Sequence, residues 1–244
     1  MSGLLHRLLF PPKCAACNEL TDWYVESPAL CHSCKKVWDN EKSDVCCICG
    51  ERVSKCACLT EEMKRAKCAS FHKLVYYYPQ KRQIVQNRVL FSVKEKKVSE
   101  TFSFLSDELF GFVDAIRAER PDADFGIVYL PRTKEQKRKY GLDQAELLAR
   151  ALSKRTGIPV ICAIKRTGGI PQKNLSGAAR LKNAKTSFAF SESADVLGKT
   201  LFLVDDIVTT GAGMSVATRL LRGHGASEVH CLAIASDVSN REIV

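Results

Sequence analysis

Short apolar runs alternate with helix-like segments from residue 125 onward. Four of these runs predict strands, at 125–130, 159–164, 200–204 and 228–235. Between them, Asp143 is predicted to cap a helix that ends at Gly157, and a second helix is predicted at about 213–222. Because the strands lack a clean polar–apolar alternation and are separated by helices, they predict an α/β fold whose parallel sheet is covered by helices on both faces.

The segment before this region has a strand-like start and a long amphipathic helix. An aromatic run at 71–78 predicts a strand, and a basic stretch follows it. A helix is predicted to begin near Ser99, because apolar residues recur from there at spacings of three and four and so share one face. They are Phe102, Leu105, Leu109, Val113 and Ile116. We therefore expect 71–120 to supply a strand and a linker helix.

Residues 1–70 differ from the rest in their many cysteines and their lack of a long apolar run. Ten of the 12 cysteines lie between Cys14 and Cys68. A segment of this composition buries too little apolar surface to fold without a staple. We therefore divide the chain into a zinc-ribbon module at 1–70 and a larger domain at 71–244, of which 121–244 is the ligand-binding core.

Two groups of cysteines predict two metal sites. The first is a pair of CxxC motifs separated by 13 residues, a spacing suited to tetrahedral Zn²⁺. Its ligands are Cys14, Cys17, Cys31 and Cys34. The second is less regular, because a CxC replaces one CxxC and two further thiols, Cys47 and Cys68, compete. Its predicted ligands are Cys46, Cys49, Cys56 and Cys58.

The surroundings of both groups favour structural rather than catalytic zinc. Neither group has an open position or a general base nearby in the sequence. Unligated cysteines in a small module are the alternative, and the irregular second group leaves more room for it than the first.

The net charge of +10 over 244 residues indicates anionic partners, either nucleic acid or phosphorylated small molecules. The apolar start of the chain lacks the pattern of a secretory signal, and no run has the length of a transmembrane helix. We therefore expect a cytoplasmic protein with no membrane insertion. In a reducing compartment, paired cysteines indicate metal rather than disulfides.

The most specific run in the chain is LFLVDDIVTTG at 201–211. Its apolar half predicts a buried strand that brings Asp205 and Asp206 to its carboxyl end, where ligands bind in open α/β sheets. Residues 209–211 then lead into a helix whose first N–H groups suit a phosphate, while the two carboxylates suit neighbouring ribose hydroxyls. The alternative is a strand whose acids cap a helix, with an ordinary turn at TTG. The chain has neither a Walker loop nor a dinucleotide fingerprint.

This run resembles the signature of the type I phosphoribosyltransferases, which bind PRPP (phosphoribosyl pyrophosphate) with Mg²⁺. The resemblance implies that Asp205 and Asp206 hold the ribose hydroxyls. It places the 5′-phosphate against Thr209, Thr210, Gly211, Ala212 and Gly213. The family commonly has Thr or Ser where this chain has Gly213, so one hydroxyl donor is missing. The residues that would face the pyrophosphate are Pro131, Arg132 and Arg138.

Two further stretches resemble the ComF family. Residues 140–147 resemble its RGFNQAEL stretch, with Tyr140 and Asp143 replacing Arg and Asn, and residues 170–188 resemble its TxxQxxLxxxxRxxN stretch. The order of zinc module, linker helix and phosphoribosyltransferase core is similar to that family over roughly 4–236. ComF proteins are associated with DNA uptake in natural competence, which implies single-stranded DNA and a competence helicase as partners besides PRPP.

Two functions fit this resemblance. In the first, the protein is an enzyme that displaces pyrophosphate from Mg²⁺-PRPP with a nitrogen nucleophile. In the second, it is a non-catalytic adaptor that senses PRPP or a nucleotide and binds single-stranded DNA or a competence helicase. No residue stands out as a general base, so the catalytic residues are unknown. Because the cysteine motifs lie far from the phosphate loop in sequence, we expect PRPP binding not to need the zinc module.

Overall fold

The computed structural model describes residues 11–21, 29–46, 48–95, 99–133, 135, 137–138, 141–167 and 187–237. Its main strands are β1 (Ser70–Tyr77), β2 (Phe125–Tyr129), β5 (Thr200–Val208) and β6 (Glu228–Asp237). They form one parallel sheet in the order β1-β6-β5-β2. Two short strands, β3 (Ile164–Arg166) and β4 (Phe188–Phe190), form a separate antiparallel pair.

Helices cover this sheet. Their bounds are α1 (His32–Lys42), α2 (Glu61–Arg65), α3 (Val85–Glu95), α4 (Ser99–Glu119), α5 (Gln144–Thr156) and α6 (Ala212–Gly223). The predicted α/β fold, a parallel sheet flanked by helices, is confirmed. No helix within the described ranges is both long and apolar enough to cross a membrane.

Alternate residues of β5 enter two different hydrophobic cores. Phe202 and Val204 pack with residues of α1, α3, α4 and α5, whereas Leu201 and Leu203 pack with residues of α2, α6 and the β3–β4 pair. Successive strand residues point to opposite faces of a sheet. The first core therefore lies on one face of the sheet and the second core on the other.

The caps of α5 follow the sequence pattern. The Asp143 carboxylate accepts a hydrogen bond from the Glu146 N–H at 3.4 Å, and Gly157 ends the helix with a left-handed φ of 76°. Glycine tolerates this backbone conformation because it has no Cβ. Both ends of the helix were therefore readable from local chemistry.

The strand predicted at 159–164 is wrong in extent. Only Val160 bridges to the sheet, opposite Ile127. The carbonyl of Ala163 then accepts a hydrogen bond from the Ser191 N–H at 2.8 Å, which draws the chain away from β2 and into β3. The sequence pattern also missed α3, since its segment indicated only a basic stretch.

Candidate phosphate site and cysteine tetrads

Strand β5 carries the acid pair. Residues Leu201 to Val204 of this strand are completely buried, and the strand continues through Asp205 and Asp206 as far as Val208. Each carboxylate accepts a hydrogen bond at 2.8 Å from the N–H of the next residue. The acids are therefore held by the backbone at the carboxyl end of the sheet, as the sequence predicts.

The electrostatics of the acid pair favour a bound cation. Burial raises the pKa of the Asp205 carboxyl well above its ordinary value, and the neighbouring Asp206 acts in the same direction. The backbone N–H of Asp206 and the charge of Arg132 oppose this rise in the pKa of Asp205. The Arg132 guanidinium itself donates to Asp206 Oδ2 at 3.0 Å. A cation bound near these carboxylates would favour their ionised form in the same way.

The phosphate loop at 209–213 joins β5 to α6. Gly211 has a φ of 78° and is the N-cap residue of α6. The Thr210 hydroxyl accepts from the Ala212 N–H at 3.4 Å, and the Ser215 hydroxyl donates to the Gly211 carbonyl at 2.8 Å. At Gly213 a Cβ would meet its nearest neighbour, Leu130 Cδ1, at 3.4 Å. The loop thus places a helix N-terminus directly after the acid pair, where an anion is favoured.

The loop after β2 brings one predicted cation to the acids. Arg132 pairs with Asp206, and its backbone N–H donates to Asp143 Oδ2 at 3.0 Å. Lys137 Nζ also lies 3.0 Å from Asp143 Oδ2, so this lysine faces the cap of α5. Pro131 is buried and Arg138 is exposed. Asp143, which replaces the Asn of the ComF stretch, therefore fixes the backbone that carries Arg132.

Several residues of the basic loop and of the ComF stretches fall outside the described part of the chain. They are Lys134, Lys139, Tyr140 and the whole of 168–186, which includes Ile170, Pro171, Gln172, Leu175, Arg180 and Asn183.

Sequence reasoning missed Arg166, at the end of β3. Its guanidinium lies over the Phe188 ring, 4.5 Å from the ring centre. Burial lowers its pKa and the Asp205 carboxylate opposes that shift, so its charge acts on the acid pair. The buried Nε donor has no hydrogen-bond partner among the described residues, and an unsatisfied buried donor is costly. The local signal was a pair of cations, Lys165 and Arg166, ending an apolar run.

The first four predicted cysteine ligands come together as one cluster. The thiols of the first tetrad (Cys14, Cys17, Cys31 and Cys34) lie within 4.8 Å of one another. Burial raises the pKa of Cys14, but the backbone N–H groups of Cys17 and Cys31 outweigh it and bring the value to about 7. N–H groups that favour a thiolate also favour a metal bound to it.

The second tetrad (Cys46, Cys49, Cys56 and Cys58) also gathers within 4.8 Å. Burial raises the pKa of Cys46, yet the N–H groups of Cys49 and Ile48 bring it down to about 6. The buried Lys73 places its Nζ 3.3 Å from Cys56 Sγ. Four thiolates around Zn²⁺ carry a net charge of −2, which a buried ammonium offsets. Both tetrads therefore fit a closed, structural zinc site.

Cys47 and Cys68 are the two further thiols that the sequence offers to the second tetrad. Cys47 lies outside the described residues. Cys68 is buried between α6 and β6, with its Sγ 3.2 Å from the Thr218 hydroxyl and 3.7 Å from Cys231 Sγ. It belongs to the second core and not to the second tetrad.

Comparisons with known proteins match parts of this chain to a domain family and to two competence proteins. A family model described as "Phosphoribosyl transferase domain" matches residues 139–242. Competence protein F from Haemophilus influenzae is 29% identical over 127 residues, which span 50% of this chain and 55% of that protein. Competence protein ComFC from Bacillus subtilis is 27% identical over 81% of this chain and 80% of its own length.

Among solved structures, a hypoxanthine phosphoribosyltransferase from Staphylococcus aureus matches 64% of this chain and 75% of its own, with 12% identity and a TM-score of 0.40. That likeness is too low to carry an argument. Three other findings agree with one another: the sequence matches, the helix-flanked parallel sheet and the N-terminal cysteine clusters. These findings support the ComF family for this chain, with a phosphoribosyltransferase domain at 139–242.

Proposed function

We propose that this protein binds PRPP together with Mg²⁺ at the carboxyl end of its sheet. The observation that carries the proposal is the junction of β5 and α6. There, four residues separate two backbone-held carboxylates from a glycine N-cap and a helix N-terminus. Carboxylates suit ribose hydroxyls, and a helix N-terminus suits a phosphate, so the two halves of the junction match the two ends of a ribose phosphate.

The proposed roles follow the order of these groups. Asp205 and Asp206 accept hydrogen bonds from the ribose hydroxyls. The 5′-phosphate lies in the loop formed by Thr209, Thr210, Gly211, Ala212 and Gly213. The pyrophosphate lies on the side of Pro131, Arg132 and Arg138, and Arg166 adds a partly buried cation near Asp205.

The chemistry available to such a site is nucleophilic substitution at the anomeric carbon of PRPP. The acceptor nitrogen forms the new C–N bond with its lone pair, and the pyrophosphate oxygen keeps the electrons of the C–O bond that breaks. The nitrogen releases its proton to solvent. Mg²⁺, when bound, offsets the charge of the pyrophosphate. The protein contributes position and electrostatic stabilisation through Arg132 and the acid pair.

The biological setting is part of the same proposal. Two relatives bear the name of competence proteins, which supports a role for this chain in competence. Its cytoplasmic location stays a prediction from the sequence. Single-stranded DNA and a competence helicase stay predictions from the family resemblance. Pyrophosphate release separates the enzyme from the non-catalytic adaptor, because only the enzyme releases it in the presence of a nitrogen acceptor.

The test is calorimetric titration of the full chain with PRPP, with and without Mg²⁺. Asp205→Asn combined with Asp206→Asn removes two ionic acceptors, each worth about 1.5–3 kcal/mol, so we expect binding to weaken by at least a hundredfold. The control, Asp122→Asn with Glu192→Gln, removes the same charge at two exposed positions and should bind like the parent. A double asparagine variant that binds as tightly as the parent would contradict the site.

A further inference from the structure

Helix α2 joins the second tetrad to the phosphate loop. Only Leu59 separates Cys58, the last residue of the tetrad, from Thr60, which is the N-cap residue of α2. The Thr60 hydroxyl accepts from the Met63 N–H at 3.4 Å. The position of this short helix is therefore tied by three consecutive residues to the position of the Cys58 thiol.

The side chains of Thr60, the N-cap residue of α2, and of Met63 fill the space next to Gly211. A Cβ built at Gly211 would clash with Thr60 Oγ1 and would lie 3.3 Å from both Cγ and Cε of Met63. Met63 is fully buried and belongs to the second core together with Val208, which precedes the loop, and Ala212, which is part of it. The phosphate loop thus rests directly on α2.

The other end of the second tetrad is attached to the sheet. The Ala57 carbonyl, between two ligand cysteines, accepts from the Phe71 N–H of β1 at 3.2 Å. Lys73, two residues further along β1, reaches Cys56 Sγ. The tetrad therefore connects the edge strand of the sheet to the helix on which the phosphate loop rests.

The first tetrad lies in the first core and not beside α2. Cys14 and Cys34 pack into the first core with Trp38 of α1. That core lies on the opposite face of the sheet from the one formed by Met63 and α6. Loss of metal from the first tetrad would therefore disturb the face that does not support the loop.

We propose that metal in the second tetrad, acting through Thr60 and Met63, holds the phosphate loop in its anion-binding conformation, and that metal in the first tetrad does not. Small thiolate–zinc modules lose their structure without metal, so an empty second tetrad releases α2 and, with it, the loop. This inference rests on the proposed PRPP site. It also revises the expectation that PRPP binding is independent of the whole zinc module, and limits that independence to the first tetrad.

The experiment compares matched variants of the full chain. Cys49→Ser with Cys58→Ser disables the second tetrad, and Cys14→Ser with Cys17→Ser disables the first. Elemental analysis should find one zinc lost in each. PRPP affinity by calorimetry should fall at least tenfold in the second-tetrad variant and stay within threefold of the parent in the first. Hydrogen exchange of the amides at 207–216, without ligand, should speed up at least tenfold only in the second-tetrad variant.

A second comparison keeps all eight cysteines. Met63→Ala removes the contact with Gly211, and Leu152→Ala opens a similar cavity at a fully buried position in the first core. We expect both variants to keep their zinc, and only Met63→Ala to lose PRPP affinity and amide protection in the loop. If both variants lost PRPP affinity equally, the effect would be one of general stability and the inference would be wrong.

The outcomes also separate this inference from the proposed function. A parent chain that does not bind PRPP would refute the proposed function, while the exchange of the loop amides would still decide whether the second tetrad supports the loop. A parent that binds PRPP, with a second-tetrad variant that binds equally well and keeps its loop protected, would refute the inference alone.

Discussion

The two cysteine tetrads have the same chemistry but stand on opposite faces of one sheet. The first lies in a core built from α1, α3, α4 and α5, where its neighbours are apolar side chains such as Trp38. The segment of the second tetrad is hydrogen-bonded to β1 and continues into α2, which contacts the phosphate loop at Gly211. Ligand sets that look equivalent in sequence therefore support different parts of the molecule, one a hydrophobic core and the other a binding loop.

What distinguishes the two tetrads is the segment that follows each of them. After Cys34, helix α1 continues along α3 and α4, and Trp38 of α1 packs edge-to-face on Phe104. After Cys58, a single residue leads into the cap of α2. The face of the sheet on which the next helix docks decides what the metal site supports.

The largest expected effect is on the stability of the first face. Trp38 is fully buried, and its indole N–H donates to Glu108. Trp38→Ala should lower the free energy of unfolding by about 3–5 kcal/mol, measured by urea denaturation. Val37→Ala, on the exposed side of the same helix, should change it by no more than about 0.5 kcal/mol. PRPP affinity of the folded Trp38→Ala protein should stay near that of the parent; a loss would show that both faces support the loop.

A smaller effect is expected at the second tetrad. Lys73→Met removes the buried ammonium beside Cys56, so the negative charge of a zinc tetrathiolate loses its nearest compensation. Removing a side chain that contacts a metal ligand typically lowers metal affinity by about 10–100-fold. We expect a decrease of about tenfold here. Competition with a chromophoric chelator measures it. Lys55→Met, at an exposed position in the same module, is the control, and equal losses in both variants would mean that only net charge matters.

The smallest effect is a gain in the phosphate loop. Gly213→Ser restores the hydroxyl that the phosphoribosyltransferase family commonly has there, and the contact of its Cβ with Leu130 at 3.4 Å is tolerable. One additional hydrogen bond to an anion, partly offset by the cost of ordering the side chain, should tighten PRPP binding by roughly three- to tenfold. Calorimetry of Gly213→Ala is the control. It separates the effect of the added hydroxyl from the effect of losing glycine, since only the serine variant should bind PRPP more tightly.

Most of the correct predictions about the fold came from interactions between residues close together in the sequence. Asp143 and Gly157 mark the two ends of α5 because a carboxylate cap and a left-handed glycine act within one turn of the chain. The gathering of both cysteine tetrads also follows from short spacings. The parallel sheet followed from apolar runs alternating with helices, and only the run at 159–164 failed, because the hydrogen bond from Ser191 to Ala163 diverts it.

Contacts between distant segments could not be predicted in the same way. Arg166 acts on Asp205 because the β3–β4 pair packs in the second core together with residues of β5. The ion pair of Arg132 with Asp206 joins the loop after β2 to strand β5, 74 residues later in the chain. The contact of Thr60 with Gly211 joins segments with no shared motif. Each depends on how the elements pack in three dimensions, and no local pattern records that packing.

The pairing of β1 with β6 has a consequence for how the protein is made. Ser70 lies opposite His230 in the register, 160 residues later in the chain. At roughly 5–20 residues per second, a ribosome needs on the order of ten to thirty seconds to cover that distance. During this interval every cysteine of the two tetrads has already been synthesised, while the strand that β1 pairs with does not yet exist. The nascent chain therefore meets the available metal, or an oxidant, before its sheet is complete, and the phosphate loop is synthesised only after every cysteine of the two tetrads.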